Sequence, residues 1–361
     1  MPVEPRKELK DLTACVHGGL DYSELKKLGF RPEDVMDFSV NSNPLPLPQK
    51  VKDIMSKTVI DRYPDSESSE LKAELAKVNE VTEANLLVSS GAMEIIRLAA
   101  QAYLSPEDRA ILTRPTFGEY EIACRMSGAR LEFIGTGEDD GFKIDIEKII
   151  KVIKRLKPKI LFLCNPNNPT GKYLSKAEIE KILDALKDNL LVLDEAYIAF
   201  TENAWKSVDL ITKGNLLIVR SMTKDYALAG LRLGYAIADE DIINTLKKVC
   251  PPWNVNAAAQ QVGLYMLKDK EYLKDSEIEI NMAKKYVIES MNTFNYRVIP
   301  SSTNFFIMEV GDATGFRNKL MAKGILVRDC SSFGLPKYVR IAPRTIKECH
   351  RLVEAVKNLS N

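Results

Sequence analysis

Short, continuously apolar runs separated by longer amphipathic stretches make up the first two thirds of the chain. Leu86-Leu87-Val88 leads into Ser89-Ser90-Gly91, after which residues 92–103 read as a helix. Residues 159–164 (KILFLC) form a buried strand that ends at the loop 165–171. Residues 175–186 then place Ile179, Ile182, Leu183 and Leu186 at helical spacing. Residues 189–193, 215–219 and 233–238 are each short, apolar and β-leaning. Strands without polar alternation, spaced by helices, predict an α/β architecture with a mainly parallel sheet covered on both faces. Ligands of such sheets sit beyond the carboxyl ends of the strands.

The pattern changes near residue 240. A long helical stretch is expected over 255–294, then strands at 304–309, 325–328 and 338–342, and a closing helix over 345–359. This reads as a smaller α+β domain. The segment Asn43-Pro44-Leu45-Pro46-Leu47-Pro48 must be extended, because proline restricts itself and its predecessor. The expected division is an N-terminal arm (1–48) joining the small domain, a large domain (49–245) and a small C-terminal domain (246–361).

Composition narrows the partners. Of 361 residues, 51 are Lys or Arg and 50 Asp or Glu, a formal net charge of +1. That balance gives no long-range attraction to nucleic acid or an anionic membrane. Six cysteines are scattered without CxxC spacing, and there are two histidines, so no metal site or redox pair is expected. The start, MPVEPRKELK, lacks a signal-type apolar core, and no run approaches the ~20 residues of a membrane span. A soluble cytoplasmic protein is expected.

Four segments at successive strand ends carry candidate chemistry. Ser89-Ser90-Gly91-Ala92 opens a helix whose free N–H groups suit a phosphate. Asn165-Pro-Asn-Asn-Pro-Thr-Gly171 follows a buried strand, and Leu193-Asp194-Glu195-Ala196-Tyr197 ends the next. Ser221-Met222-Thr223-Lys224 ends a third and is followed by Arg232 in Gly230-Leu-Arg-Leu-Gly234. Singly, these are a capped helix, a turn, a helix cap and a solvated lysine. Together they supply a phosphate cradle, an amide, a carboxylate, and a lysine beside an arginine. Pyridoxal phosphate needs that set. Gly135-Thr-Gly137 with Gly141 does not follow dinucleotide-binding spacing.

On NNPTG, DEAY, SMTK and GLRLG the chain resembles the fold-type I pyridoxal-phosphate enzymes, the aspartate aminotransferase-like group, over nearly its whole length. The resemblance implies that Lys224 is the Schiff-base lysine, that Asp194 pairs with the pyridinium nitrogen, and that Asn168 and Tyr197 donate to the ring hydroxyl oxygen. It places Ser90, Gly91, Ala92, Ser221 and Arg232 around the phosphate, Phe117 against the ring, and Thr223 among the cofactor's contacts. Tyr63, in Arg62-Tyr-Pro-Asp65, would reach the phosphate of a neighbouring subunit, which implies a homodimer with shared sites.

Within that group the chain is similar to histidinol-phosphate aminotransferases and threonine-phosphate decarboxylases. Val16-His17-Gly18-Gly19 resembles the decarboxylase HGG motif, and residues 37–48 resemble its DFSxNxNPLGxP segment, with Pro46 where that pattern has glycine. Pro252-Trp253-Asn-Val-Asn256 and Val327-Arg328-Asp-Cys-Ser-Ser332 resemble two further segments. The implied substrate is a small phosphorylated amino acid, with His17, Asn43, Arg328 and Arg340 as its ligands. Arginine suits both phosphate and carboxylate through its paired donors. The expected reaction is decarboxylation of O-phospho-L-threonine to aminopropanol phosphate. The alternative is amino transfer from histidinol phosphate to 2-oxoglutarate. A non-catalytic regulator would need a DNA-binding extension, for which only about forty residues precede the large domain.

Overall fold

The protein is described by a computed structural model covering residues 3–10 and 12–360. Its strands are β1 (Met36–Asp37), β2 (Leu86–Ser89), β3 (Arg109–Arg114), β4 (Arg130–Gly135), β5 (Ile160–Cys164) and β6 (Leu190–Asp194). They continue with β7 (Leu216–Ser221), β8 (Gly234–Ala238), β9 (Phe306–Glu309), β10 (Ile325–Leu326), β11 (Arg328–Asp329) and β12 (Tyr338–Ile341). The helices around them include α1 (Ala92–Tyr103), α2 (Glu119–Met126), α3 (Ile146–Leu156), α4 (Lys176–Leu186), α5 (Ala257–Lys268) and α6 (Lys270–Thr293).

Seven strands form the central sheet in the order β2-β8-β7-β6-β5-β3-β4. Only β8 runs against its neighbours, so the carboxyl ends of β2, β7, β6, β5 and β3 share one edge. Side chains alternate along each strand, and both sets are apolar, as strands buried on two faces require. Leu161, Leu163, Leu191 and Leu193 face one core with Ile149 and Ile153 of α3 and Ile179 and Ile182 of α4. Ile160, Phe162, Leu190 and Val192 face the other with Ile95 and Ile96 of α1 and Ala123 of α2. Each fully buried Leu or Phe contributes about 1.5–3 kcal/mol relative to exposure. Local signals set the helix starts. Ser175 and Glu178 form a reciprocal capping box on α4, and Asp145 caps α3 through the Lys148 N–H.

The smaller sheet, β11-β12-β9, is antiparallel, and β1 pairs in parallel with β10, so the N-terminal arm enters this part of the fold. The stretch expected as one helix over 255–294 is two. Asp269 separates α5 from α6 and caps the second through the Tyr272 N–H. The division expected at residue 246 falls before α5, yet Ala259, Val262 and Met266 of that helix pack into the large-domain core. Ala283, Val287 and Met291, farther along α6, join the small-domain core instead. We propose that the domains divide within α6.

Candidate active site

The common strand edge opens onto a cavity of about 340 Å³. Ala92, Phe117, Asn168, Asp194, Tyr197, Ser221, Thr223, Lys224 and Arg232 line it from the large-domain side. Arg328 and Arg340 line it from the small sheet, and His17 from the arm. Twelve of the residues singled out in the sequence therefore meet in one place.

Asp194 ends β6 on the cavity floor, 4% exposed. Its Oδ2 accepts from the Tyr120 hydroxyl at 2.6 Å and its Oδ1 from the Ala196 N–H at 2.9 Å. Burial raises the Asp194 pKa, and those two hydrogen bonds oppose the rise. Tyr197 is buried, with its hydroxyl pKa pushed up to about 12, so it stays protonated and able to donate.

Lys224, just beyond β7, faces the cavity. Burial and, next, the positive charges of Arg340 and Arg232 lower its pKa to about 8, while Asp37 opposes them. The loop carrying it is anchored by Asn43. The Asn43 backbone N–H donates to the Lys224 carbonyl at 2.8 Å, and its Nδ2 donates to the Asp225 carbonyl and to Ser276 Oγ. Asn43 thus lies outside the cavity lining, bound to the far side of the lysine loop. Asn41, two residues earlier in the same segment, lines the cavity instead. Its amide is buried with neither Nδ2 nor Oδ1 in a hydrogen bond of ordinary geometry.

Opposite the floor, Arg328 and Arg340 are direct cross-strand partners, 7% and 4% exposed. Like charges placed so repel, and burial makes both harder to hold. Desolvation, with repulsion between the two, lowers the Arg328 pKa, and desolvation dominates for Arg340. Arg340 donates to Asn168 Oδ1 and to the Ser39 carbonyl, leaving its buried Nε without a partner. Arg328 donates to the carbonyls of Val16 and His17 and to Ser332 Oγ. Among the described residues, neither arginine, nor Lys224, nor Arg232, is in an ion pair. The cavity is therefore cationic and complementary to anions.

At its inner end, Gly91 caps α1 with φ 80° and no side-chain cap, which leaves the first N–H groups of the helix without side-chain partners. A Cβ on Gly91 would meet Arg232 Nη2 at 2.9 Å. A Cβ on Gly234 would meet the Ala92 nitrogen at 2.7 Å. Bare glycines thus let β8 and the arginine close on the helix start. Ser221 Oγ and Thr223 Oγ1 lie beside it, 2.6 Å apart. Ser90 and Gly91 themselves do not line the cavity. The Ser90 N–H is already taken by Glu94 Oε2 at 2.8 Å.

Tyr63 does not line its own chain's cavity. It is 76% exposed and stacked on Trp253, itself 45% exposed, with ring centroids 4.4 Å apart. On the arm, His17 Nε2 pairs with Glu119 Oε1 at 2.9 Å, and Cys15 lines the mouth nearby. Tyr120, Asn41, Glu119 and Cys15 were not legible as site residues. Tyr120 and Glu119 sit in the segment after Phe117, where the helical spacing of α2 is all that the sequence displays. Asn41 was masked by the more prominent Asn43.

A helix start with free N–H groups, two hydroxyls and an arginine suit a phosphate. A buried carboxylate, a low-pKa lysine and an aromatic ring suit a charged heteroaromatic aldehyde. Together with the fold, these groups define a pyridoxal-phosphate enzyme. The chain belongs to the aminotransferase class I and II family, which it matches over residues 33–356, and pyridoxal phosphate is the cofactor of that family. It is 31% identical to histidinol-phosphate aminotransferase of Methanococcus aeolicus, over 99% of this chain and 98% of that one. Histidinol-phosphate aminotransferase from Sinorhizobium meliloti, solved in complex with pyridoxal-5'-phosphate, has the same aspartate aminotransferase-like fold. The TM-score is 0.88 at 20% identity, covering 99% of each chain. L-Threonine-O-3-phosphate decarboxylase from Porphyromonas gingivalis is 28% identical, with a TM-score of 0.77 over 89% of this chain and 98% of that one. No helix among the described residues is long and apolar enough to cross a membrane.

Proposed function

We propose that this enzyme is an aminotransferase that exchanges the amine of histidinol phosphate, or a close phosphorylated analogue, with 2-oxoglutarate. The observation that carries this reading is the cationic cavity. Lys224, Arg232, Arg328 and Arg340 line it without an ion pair among the described residues. One phosphate of the cofactor and one anionic group at each end of the substrate pair would neutralise that excess. The full-length relative from Methanococcus aeolicus supports the aminotransferase over decarboxylation, the reaction expected from the N-terminal motifs.

The residues divide the work as follows. The start of α1, Ser221, Thr223 and Arg232 hold the cofactor phosphate. Phe117 would pack on the ring, Asp194 would pair with the ring nitrogen, and Asn168 and Tyr197 would donate to the ring hydroxyl. When bound, pyridoxal phosphate supplies an electron sink that weakens bonds to the substrate α-carbon. Lys224, facing the cavity, would be the base that takes and returns the proton of the substrate α-carbon. Its lowered pKa, about 8, leaves a minority of it as free amine at neutral pH and about half under mildly alkaline conditions. Arg340 receives a carboxylate through its unpartnered Nε, and Arg328 with His17 faces the phosphate.

Decarboxylation of O-phospho-L-threonine is the second reading, favoured by one observation. The arm motif Val16-His17-Gly18-Gly19 is drawn to the cavity mouth, with Arg328 holding its carbonyls. Purified protein given histidinol phosphate and 2-oxoglutarate should form glutamate. Release of carbon dioxide from O-phospho-L-threonine, with no glutamate formed, would replace the first reading by the second. We further propose a homodimer, with Tyr63 reaching the partner's cofactor phosphate, and a cytoplasmic location, in keeping with six free thiols.

A further inference from the structure

We propose that Cys15, His17 and Glu119 form a binding site for a zinc-class divalent cation at the mouth of the cavity, and that its occupation inhibits the enzyme. Cys15 and His17 lie on the extended arm, and Glu119 is the first residue of α2. Their ligand atoms all fall within 4.8 Å of one another. Sequence spacing conceals the cluster, because the carboxylate follows the histidine by 102 residues. Sulfur, imidazole and carboxylate are the three donor types that zinc accepts, and three protein ligands with one open position describe an exchangeable site.

Two independent features point to a ligand here. Glu119 is only 6% exposed, and its buried Oε2 has no hydrogen-bond partner, with Arg97 Nη2 3.6 Å away. A buried carboxylate oxygen left unsatisfied is costly, and a metal would satisfy it. Gly118 has φ −66°, a conformation open to any residue, so glycine is not required there by the backbone. A Cβ at that position would meet Cys15 Sγ at 2.7 Å, so the glycine makes room for the thiol beside the carboxylate.

Tetrahedral zinc with bonds of about 2.0–2.3 Å sets its ligand atoms roughly 3.3–3.8 Å apart. His17 Nε2 pairs with Glu119 Oε1 at 2.9 Å, and this contact must open slightly for the imidazole to join an ion bound at Oε2. The His17 side chain, 52% exposed, is free to make that adjustment. The ion's two charges would be balanced by the Cys15 thiolate, whose proton passes to solvent, and by the Glu119 carboxylate.

The consequence follows from where the arm is held. Arg328 already donates to the Val16 and His17 carbonyls, at 2.7 and 2.8 Å. A metal joining the same residues to α2 would clasp the arm across the cavity mouth. It would also consume His17 Nε2, the atom proposed to face the substrate phosphate.

The test uses the holoenzyme with zinc and, separately, cobalt(II). One ion should bind per chain, and cobalt should give the visible bands of a tetrahedral site with a thiolate ligand. Cys15→Ser and Cys15→Ala should each weaken binding at least about tenfold, whereas Cys250→Ser should leave it unchanged. Zinc should raise the KM for the phosphorylated substrate with little change in kcat. Binding that is absent, or equal in wild type and both Cys15 variants, would overturn the site. A bound ion with no effect on KM would overturn the inhibition. The binding readout is independent of which reaction the enzyme catalyses.

Discussion

At the scale of single residues, the lysine and the carboxylate of this site are tuned in opposite ways by the same burial. Desolvation disfavours the charged form of each, lowering Lys224 to about 8 and raising Asp194. The uptake rate of pyridoxal phosphate by cofactor-free protein, followed by absorbance, should therefore rise with pH through about 8. Arg340→Met removes a like charge and should move that midpoint upward, since the ammonium is then easier to hold. An unmoved midpoint would mean that Arg340 does not act on the lysine. Lys224→Ala should leave a folded protein whose bound cofactor lacks the wild-type absorbance. Asp194→Ala should retain cofactor but lose roughly 10²–10³-fold in kcat, the scale of one preorganised electrostatic group. Tyr120→Phe removes only the 2.6 Å donor to that carboxylate. It should cost about tenfold, the scale of a hydrogen bond to a charge. Equal losses in the two variants would show that Tyr120 does more than orient Asp194.

Elements explain why most of this site was legible and some was not. A strand buried on both faces is forced to be apolar throughout, so the polar residue that ends it stands out. Asp194, Ser221 and the loop after Cys164 are conspicuous for that reason. Arg340 is conspicuous for the complementary one, a charge inside the apolar run of β12. Asn43 was expected among the substrate's ligands, yet it lies outside the cavity lining. Only the three-dimensional path shows that it grips the lysine loop from behind while Asn41 faces the cavity. The helix break at Asp269 was hidden because both halves, α5 and α6, are amphipathic and one capping residue joins them. Gly234 belongs to this scale too. It begins β8 where a side chain would strike the Ala92 nitrogen, the Arg220 carbonyl and Gly91, all backbone atoms that cannot swing aside. Gly234→Ala should destabilise the protein by about 1–3 kcal/mol, as overpacking does. It should also weaken cofactor retention in parallel, read by denaturant titration beside cofactor dissociation. Lost stability with unchanged cofactor retention would separate β8 from the phosphate cradle.

At the scale of the whole molecule, the feature that one chain leaves unexplained is its exposed aromatic pair. Tyr63 and Trp253 stack on the surface with Val59 and Ile60 exposed close by in the chain, at 43% and 89%. Exposed apolar side chains grouped in this way are what contact with a second subunit would cover. In a twofold dimer, the surface that a subunit offers is also the one it receives. A tyrosine that does not line its own cavity can then complete its partner's, and mixing two inactive variants tests this. In a mixed dimer of Lys224→Ala with Tyr63→Ala, one site lacks both side chains and the other has both. Random subunit exchange should then restore about a quarter of wild-type sites, since half the dimers are mixed and each has one intact site. If Tyr63 served its own chain, every site in the mixture would lack one of the two residues, and mixing would restore nothing. Subunit exchange should leave light scattering at the mass of two chains throughout. Recovery of activity therefore assigns the tyrosine to the neighbouring site, and its absence in verified mixed dimers returns Tyr63 to surface packing against Trp253.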